Sequence, residues 1–326
     1  MKKILVDGKF AHGAILHSAK KHRKIHSKRK FVGEGSAPYD WTKPLIRNYT
    51  QPIKNQYQAG MCGGEAYSEG KQIFDTLVLG KPFVELSERS FYSQEFMAPE
   101  GMTVSAMQDG ASFKGLTTFA NAPTPVNCTE ADAETIDWEN PTTLKDSIMR
   151  AGMVMLSVPI NIDSIAQAIR DYYFVVFCFA GVNNGTWTSV YPQPPAPGQQ
   201  TQWGHFMCSS PDIPVMPKKY IKMYQSWGAS VGEGGFQFFD ENFINSGCIM
   251  DCFTFVKHTF SQDLKFGMVN DDVKYLQVRL GMPSNTYGFG VFGLKTLAAL
   301  KSWQSANGII NTGYFGILSR TKMNLN

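Results

Sequence analysis

The sequence predicts an α+β body of two lobes followed by a small all-α module. Capped segments with helical spacing crowd the first half of the body. Short apolar runs separated by turn residues fill its second half. Near Gln262–Phe266 the pattern changes, and about sixty residues with helical spacing and glycine stops run to the end, enough to fold alone.

The elements follow in order. A loop containing Gly60, Gly63 and Gly64 runs into Glu65–Glu69, a helix-forming stretch, so Cys62 falls at or just before a helix start. Ser87 is the N-cap of a helix beginning at Leu86–Ser90. Val104–Leu116 reads as a helix, and Pro141–Gly152 as a capped helix with a glycine stop. Met153–Ile160 and Phe174–Phe179 read as buried strands; the second lies within the longest apolar run, Tyr172–Val182, which is too short to span a bilayer. A turn at Val182–Gly185 and a Pro/Gln-rich loop at Pro192–Gln202 precede strands at Gly204–Cys208, Tyr220–Tyr224 and Phe236–Phe239. Asp272–Leu280, Leu294–Asn307 and Leu318–Leu325 are the three helices of the module. The expected domains are 1–36, 37–262 and 266–326.

The chain has 326 residues, 43% hydrophobic and 18% charged, the composition of a folded protein. Its net charge of +4 hides an asymmetry: residues 1–35 carry ten Lys/Arg against Asp7 and Glu34, a balance of +8, which leaves −4 for the rest. The basic arm suits docking to something acidic, such as an anionic wall polymer or a partner protein. No aromatic residue interrupts Lys20–Lys30, which argues against nucleic acid. His22 and His26 are one helical turn apart but have no carboxylate or cysteine beside them, and Cys248, Cys252 and His258 lack a fourth ligand. The expectation is therefore no metal and no cofactor, with six cysteines mostly reduced and buried. The apolar start Ile4–Val6 ends at Asp7, so no signal peptide is expected.

Chemistry concentrates in three places. A thiol at a helix start is expected to have its pKa lowered by the helix dipole and free N–H groups. Gln56, upstream of Cys62, carries an amide donor that could join the Cys62 N–H in an oxyanion hole. Far downstream come Gly204-His205 and then Gln225-Ser226-Trp227-Gly228. Nucleophile, histidine and side-chain amide in this order suit a thiol whose proton His205 takes. The amide carbonyl would hold the other ring nitrogen, with Trp227 screening that bond from water.

Residues of about 37–260 resemble the papain family of cysteine peptidases in its prokaryotic and viral branch. The resemblance rests on Tyr39-Asp40-Trp41, Gln56 to Cys62, Leu86-Ser87-Glu88, Gly101 to Met107, Leu144 to Pro159, Gly204-His205 and Gln225 to Phe236. It implies a papain-like fold, with a helical lobe and a β-barrel-like lobe. It also implies Cys62 as nucleophile, His205 as acid/base, Gln56 as oxyanion donor and Gln225 in the orienting position, with Gly60, Gly204 and Trp227 at the substrate. Gln225 stands where the family has asparagine, Gly63 where it has a bulky residue, and Tyr57 where it has glycine; on that comparison Gln225→Asn is expected to raise activity. Residues of about 266–326 resemble the peptidoglycan-binding three-helix domain of cell-wall hydrolases, through Leu276-Gln277, Phe292-Gly293, Thr296, Trp303-Gln304, Asn307-Gly308 and Gly313 to Gly316. That resemblance implies wall contacts from Phe292, Trp303 and Tyr314. Together they imply a peptidase directed to bacterial wall, cutting peptidoglycan peptides or wall or virion proteins. The expected setting is a phage product, in the virion or in host cytoplasm before lysis, with the basic arm on phage structural proteins and no membrane partner. The alternatives are a phage processing protease and a catalytically weakened structural protein.

Overall fold

The structure, a computed structural model, describes residues 13–15, 37–97 and 101–325, and the backbone of 5–6 and 9–10. The calls on His22, His26 and Lys20–Lys30 lie outside the described residues. Leu5–Val6 (β1) and Lys9–Phe10 (β2) pair as a two-residue antiparallel ribbon.

The first lobe is helical and forms around α1 (Cys62–Ile73), every residue of which is buried. Gly64 makes this possible: a Cβ there would lie 2.5 Å from the carbonyl oxygen of Glu88, so α1 and α2 (Glu88–Glu95) cross almost backbone to backbone. Ser87 caps α2 as expected, its hydroxyl accepting from Ser90 N at 3.0 Å. The helix expected at Val104–Leu116 is α3 (Val104–Asp109), which widens into a π-helical turn at Gly110–Lys114. Then come α4 (Glu130–Glu134), with a Thr129/Asp132 capping box, and α5 (Pro141–Ile148), capped by Asn140.

The second lobe is a sheet. β3 (Met153–Ser157), β4 (Val176–Gly181), β5 (Trp203–Cys208) and β8 (Ile249–Lys257) form an antiparallel sheet in the order β3-β8-β4-β5. β6 (Tyr220–Tyr224) and β7 (Phe236–Asp240) form a second antiparallel pair. The Ser209–Met223 bridge joins the two sheets, curling the lobe toward a barrel. A helix α6 (Ile162–Tyr172) and a short α7 (Glu241–Asn245) pack on it. Neither α6 nor β8 is among the expected elements, although Ile162, Ile165, Ala166 and Ile169 carry the helical spacing.

The sheet explains the unbroken apolar run. On β4, Val176 and Cys178 join the core beneath α1, whereas Phe177 and Phe179 join a second core beneath α6. On β5, Phe206 and Cys208 face the first core, and Trp203 and Met207 the second. A strand with a core on each face needs apolar residues at every position. His205 thereby points with the second set, toward Phe179, Trp203 and Trp227.

The module consists of α8 (Asp271–Arg279), α9 (Leu294–Ala306) and α10 (Ile317–Leu325) around a third core of Leu264, Val273, Leu276, Leu300, Phe315 and Met323. Two buried glutamines tie its loops down. Gln277 donates to Thr296 Oγ1 at 2.8 Å and accepts from Gly290 N at 2.7 Å; Gln304 donates to Ser319 Oγ at 3.0 Å and accepts from Gly313 N at 2.9 Å. The module packs on the helical lobe: Tyr275 donates to Ser112 Oγ at 3.1 Å, and His258 stacks on Tyr275 with ring centroids 3.8 Å apart. His258 is paired with Asp272 at 3.1 Å. No cluster of three potential metal ligands occurs among the described residues, and no described helix is long and apolar enough to cross a membrane.

Candidate active site

Cys62 is the first residue of α1, where backbone N–H groups lack helical partners. Its Sγ accepts from Phe206 N at 3.4 Å. Phe206 follows His205 on β5, so the fold brings the nucleophile candidate of one lobe against the strand of the other that carries the histidine candidate.

His205 is held at one ring nitrogen. Its Nε2 is 3.4 Å from Gln225 Oε1 and 3.3 Å from Ser226 Oγ. Its Nδ1 makes no hydrogen bond among the described residues. Trp227, buried, lies with its ring centroid 5.2 Å from the imidazole and shields this face. The loops that carry these groups are laced together. Gln56 N donates to Ser226 O at 2.8 Å, Gly228 N donates to Lys54 O at 3.0 Å, and Asn55 bridges Trp227. Beneath the Gln56 loop, buried Lys54 pairs with Glu88 at 2.5 Å and donates to Leu86 O at 3.0 Å.

The side chain of Gln56 is also set. Its Oε1 accepts from Ser226 Oγ at 2.8 Å, and its Nε2 donates to Ala59 O at 3.1 Å. Tyr57 adopts φ +49, in the left-handed region that favours glycine. The space beside Gly63 is taken by Met102, whose Sδ would be 3.1 Å from an added Cβ.

The cleft between the lobes is filled by the chain itself. Ala14 N donates to Gly204 O at 3.3 Å, Ile15 N donates to Met102 O at 2.8 Å, and Met102 N donates to Gly13 O at 2.6 Å. Residues 13–15 thus run as a strand-like segment between Met102 on the helical lobe and Gly204 on the sheet lobe. Gly13 lies directly over the sulfur: a Cβ there would be 2.5 Å from Cys62 Sγ and 2.4 Å from Gly60 O. Cys62 is 0% and His205 1% exposed.

This burial overturns the expected thiol pKa. Loss of water pushes the Cys62 thiol well above its ordinary value, and the nearby Glu65 adds to the rise; the Phe206 N–H and helix-start N–H groups only partly oppose it. The same burial lowers the His205 pKa to about 4, against a smaller upward pull from Gln225. Under the segment, both groups rest uncharged.

Of the module residues expected at the wall, Phe292 is a correction: it is fully buried in the third core and can touch no ligand. Trp303 packs half-buried against that core. Tyr314 is 46% exposed and donates to Asp263 Oδ2 at 2.7 Å. Ser226, Gln237 and Gly13 were not singled out by the sequence reading as site residues. Of these, Gln237 had a signal, a lone amide within the aromatic run Phe236–Phe239.

No protein-family profile matches the chain, and no curated protein matches it by sequence. Solved structures do. Xylellain, a cysteine protease from Xylella fastidiosa, superposes with a TM-score of 0.59 at 17% identity over 76% of this chain and 95% of its own. The bromelain protease from Ananas comosus, in complex with the E64 inhibitor, gives 0.51 at 20% identity over 68% and 99%. The ragweed pollen cysteine protease Amb a 11, in its proform, gives 0.52 at 15% identity over 72% and 68%. The chain therefore has the papain-like cysteine protease fold.

Proposed function

We propose that the chain is a cysteine endopeptidase, latent while residues 13–15 occupy its cleft, and directed to bacterial cell wall by its C-terminal module. The observation that carries the reading is that Cys62, at a helix start, accepts from the N–H of Phe206, the residue after His205, whose Nε2 faces an amide oxygen. In this mechanism Cys62 Sγ attacks the substrate carbonyl carbon as its proton passes to His205 Nδ1. The Cys62 N–H and the Gln56 side-chain amide receive the oxyanion. The imidazolium then protonates the leaving amine. His205 next deprotonates a water that hydrolyses the thioester, which restores the thiol.

Latency follows from the same contacts. The Gly13 carbonyl accepts from Met102 N at 2.6 Å, which ties the segment down over the sulfur. Dry surroundings disfavour the thiolate–imidazolium pair.

Support for the wall reading comes from the module's surface. Ile310, Tyr314, Ile317 and Leu318, all exposed, line a groove of about 260 Å³ with Gln304. Exposed apolar residues grouped in a groove mark a binding surface. The basic arm would dock to a phage structural protein, with action at the wall after lysis. Zymography on purified bacterial wall, with peptide hydrolysis in parallel, tests the whole reading. Removing residues 1–36 should raise both activities and Cys62→Ala should abolish both. Removing residues 266–326 should lower wall clearing far more than peptide hydrolysis. Equal losses on wall and peptide would mean that the module does not target the enzyme.

A further inference from the structure

Gln237 is fully buried on β7, in a strand otherwise rich in phenylalanine. Its Nε2 donates to two backbone carbonyls, Trp187 O at 2.6 Å and Ser189 O at 2.9 Å. Those bonds use both protons of the amide, and turning it over would set an oxygen against two oxygens. Its Oε1 must therefore face the other way, where it accepts from Gln225 Nε2 at 2.8 Å. Gln225 is fixed in turn: its Oε1 accepts from Ser226 N at 2.8 Å and faces His205 Nε2 at 3.4 Å. The second neighbour of Nε2 agrees. Ser226 Oγ gives its proton to Gln56 Oε1 at 2.8 Å and so turns a lone pair to the imidazole 3.3 Å away. With two acceptors opposite it, Nε2 is the protonated ring nitrogen. Nδ1 keeps its lone pair, free to receive the Cys62 proton.

The geometry points to Gln237 as a positioning residue: through Gln225 it relays the polarity of the Trp187 and Ser189 carbonyls to the imidazole and fixes the catalytic tautomer of His205. The inference rests on the peptidase reading for its consequence, but not for its observable. It also accounts for the glutamine at 225, whose extra methylene lets one amide span the distance between His205 and Gln237. An asparagine there would lose one of the two.

The test is the ring-nitrogen NMR spectrum of the intact chain with ¹⁵N-labelled histidine, the His205 signals being assigned by their loss in His205→Ala. The unaltered chain should show a single neutral tautomer protonated at Nε2. Gln237→Met should admit a second tautomer protonated at Nδ1; if that variant does not fold, Gln237→Leu, which also lacks the acceptor for Gln225 Nε2, should do the same. Where turnover is measurable, Gln237→Met should lower kcat about tenfold, as the loss of one buried hydrogen bond would, with KM little changed. In a Gln225→Ala background the same substitution should change neither tautomer nor kcat further. An unchanged single tautomer in both Gln237 variants, or a Gln237→Met effect that adds in full to Gln225→Ala, would overturn the proposal. Absence of turnover in the unaltered chain would count against the peptidase reading and leave the tautomer result standing.

Discussion

At the residue scale, Gly13 and Gln225 decide most. Gly13 can cross the sulfur only because it has no side chain. Gly13→Val should displace the segment and hasten alkylation of Cys62 by roughly 10- to 1000-fold, the inverse of a 0.1–10% open population. An unchanged rate would show that something other than this segment shields the thiol. The opening should also depend on acid. His205, with its pKa lowered to about 4 in the closed form, binds fewer protons there than in an open form near the ordinary imidazole value of 6.5. Closure is therefore fully favoured above that value and weakens as pH falls toward 4. At Gln225, comparison with the family favours Asn, whereas the contact with Gln237 reverses the expectation: Gln225→Asn should lower kcat.

At the element scale, α1 carries an unusual load. Glu65 and Glu69 lie fully buried within it, with Glu88 beside them and Lys54 as the nearby cation. Burial raises Glu69 to about 8 and, on α2, Glu95 to about 7. Both keep protons in the folded chain that the unfolded chain has released, so their stabilisation is full below the ordinary glutamate value of 4.5 and is lost as pH rises through 7 to 8. His205 contributes the opposite slope only below about 6.5. Lys71, lowered to about 8 by burial, contributes a rising slope only above that value. The melting temperature should therefore fall between pH 6.5 and 8, and Glu69→Gln should flatten the fall; a rise over that interval would contradict it. Lys54→Met should cost roughly 3–5 kcal/mol, because it leaves Glu88 buried without its cation.

At the scale of the molecule, order along the chain was more legible than proximity. Capped helices such as Glu88–Glu95 and the glycine-stopped helices of the module announce themselves locally, since a cap is read within four residues. The cysteine, histidine and amide could be read because each sits in a distinctive short context. What could not be read is what crosses between lobes. The segment over Cys62 is ordinary in sequence, and among the described residues three backbone hydrogen bonds give it meaning. The raised thiol pKa follows from that cover. The helix start at Cys62, taken alone, argues the other way. Phe292 shows the same limit, because an aromatic beside glycine reads equally as a surface contact and as the core residue it is.

The central claim is that Cys62 and His205 form one nucleophile–base pair beneath the N-terminal segment. Mass spectrometry of E64 adducts tests it directly, on the chain with and without residues 1–36. The account predicts one adduct, on Cys62, formed slowly in the intact chain and rapidly once the segment is gone, and largely lost with His205→Ala at neutral pH. A folded, shortened chain whose Cys62 stays unlabelled, or labels equally well without His205, would contradict it.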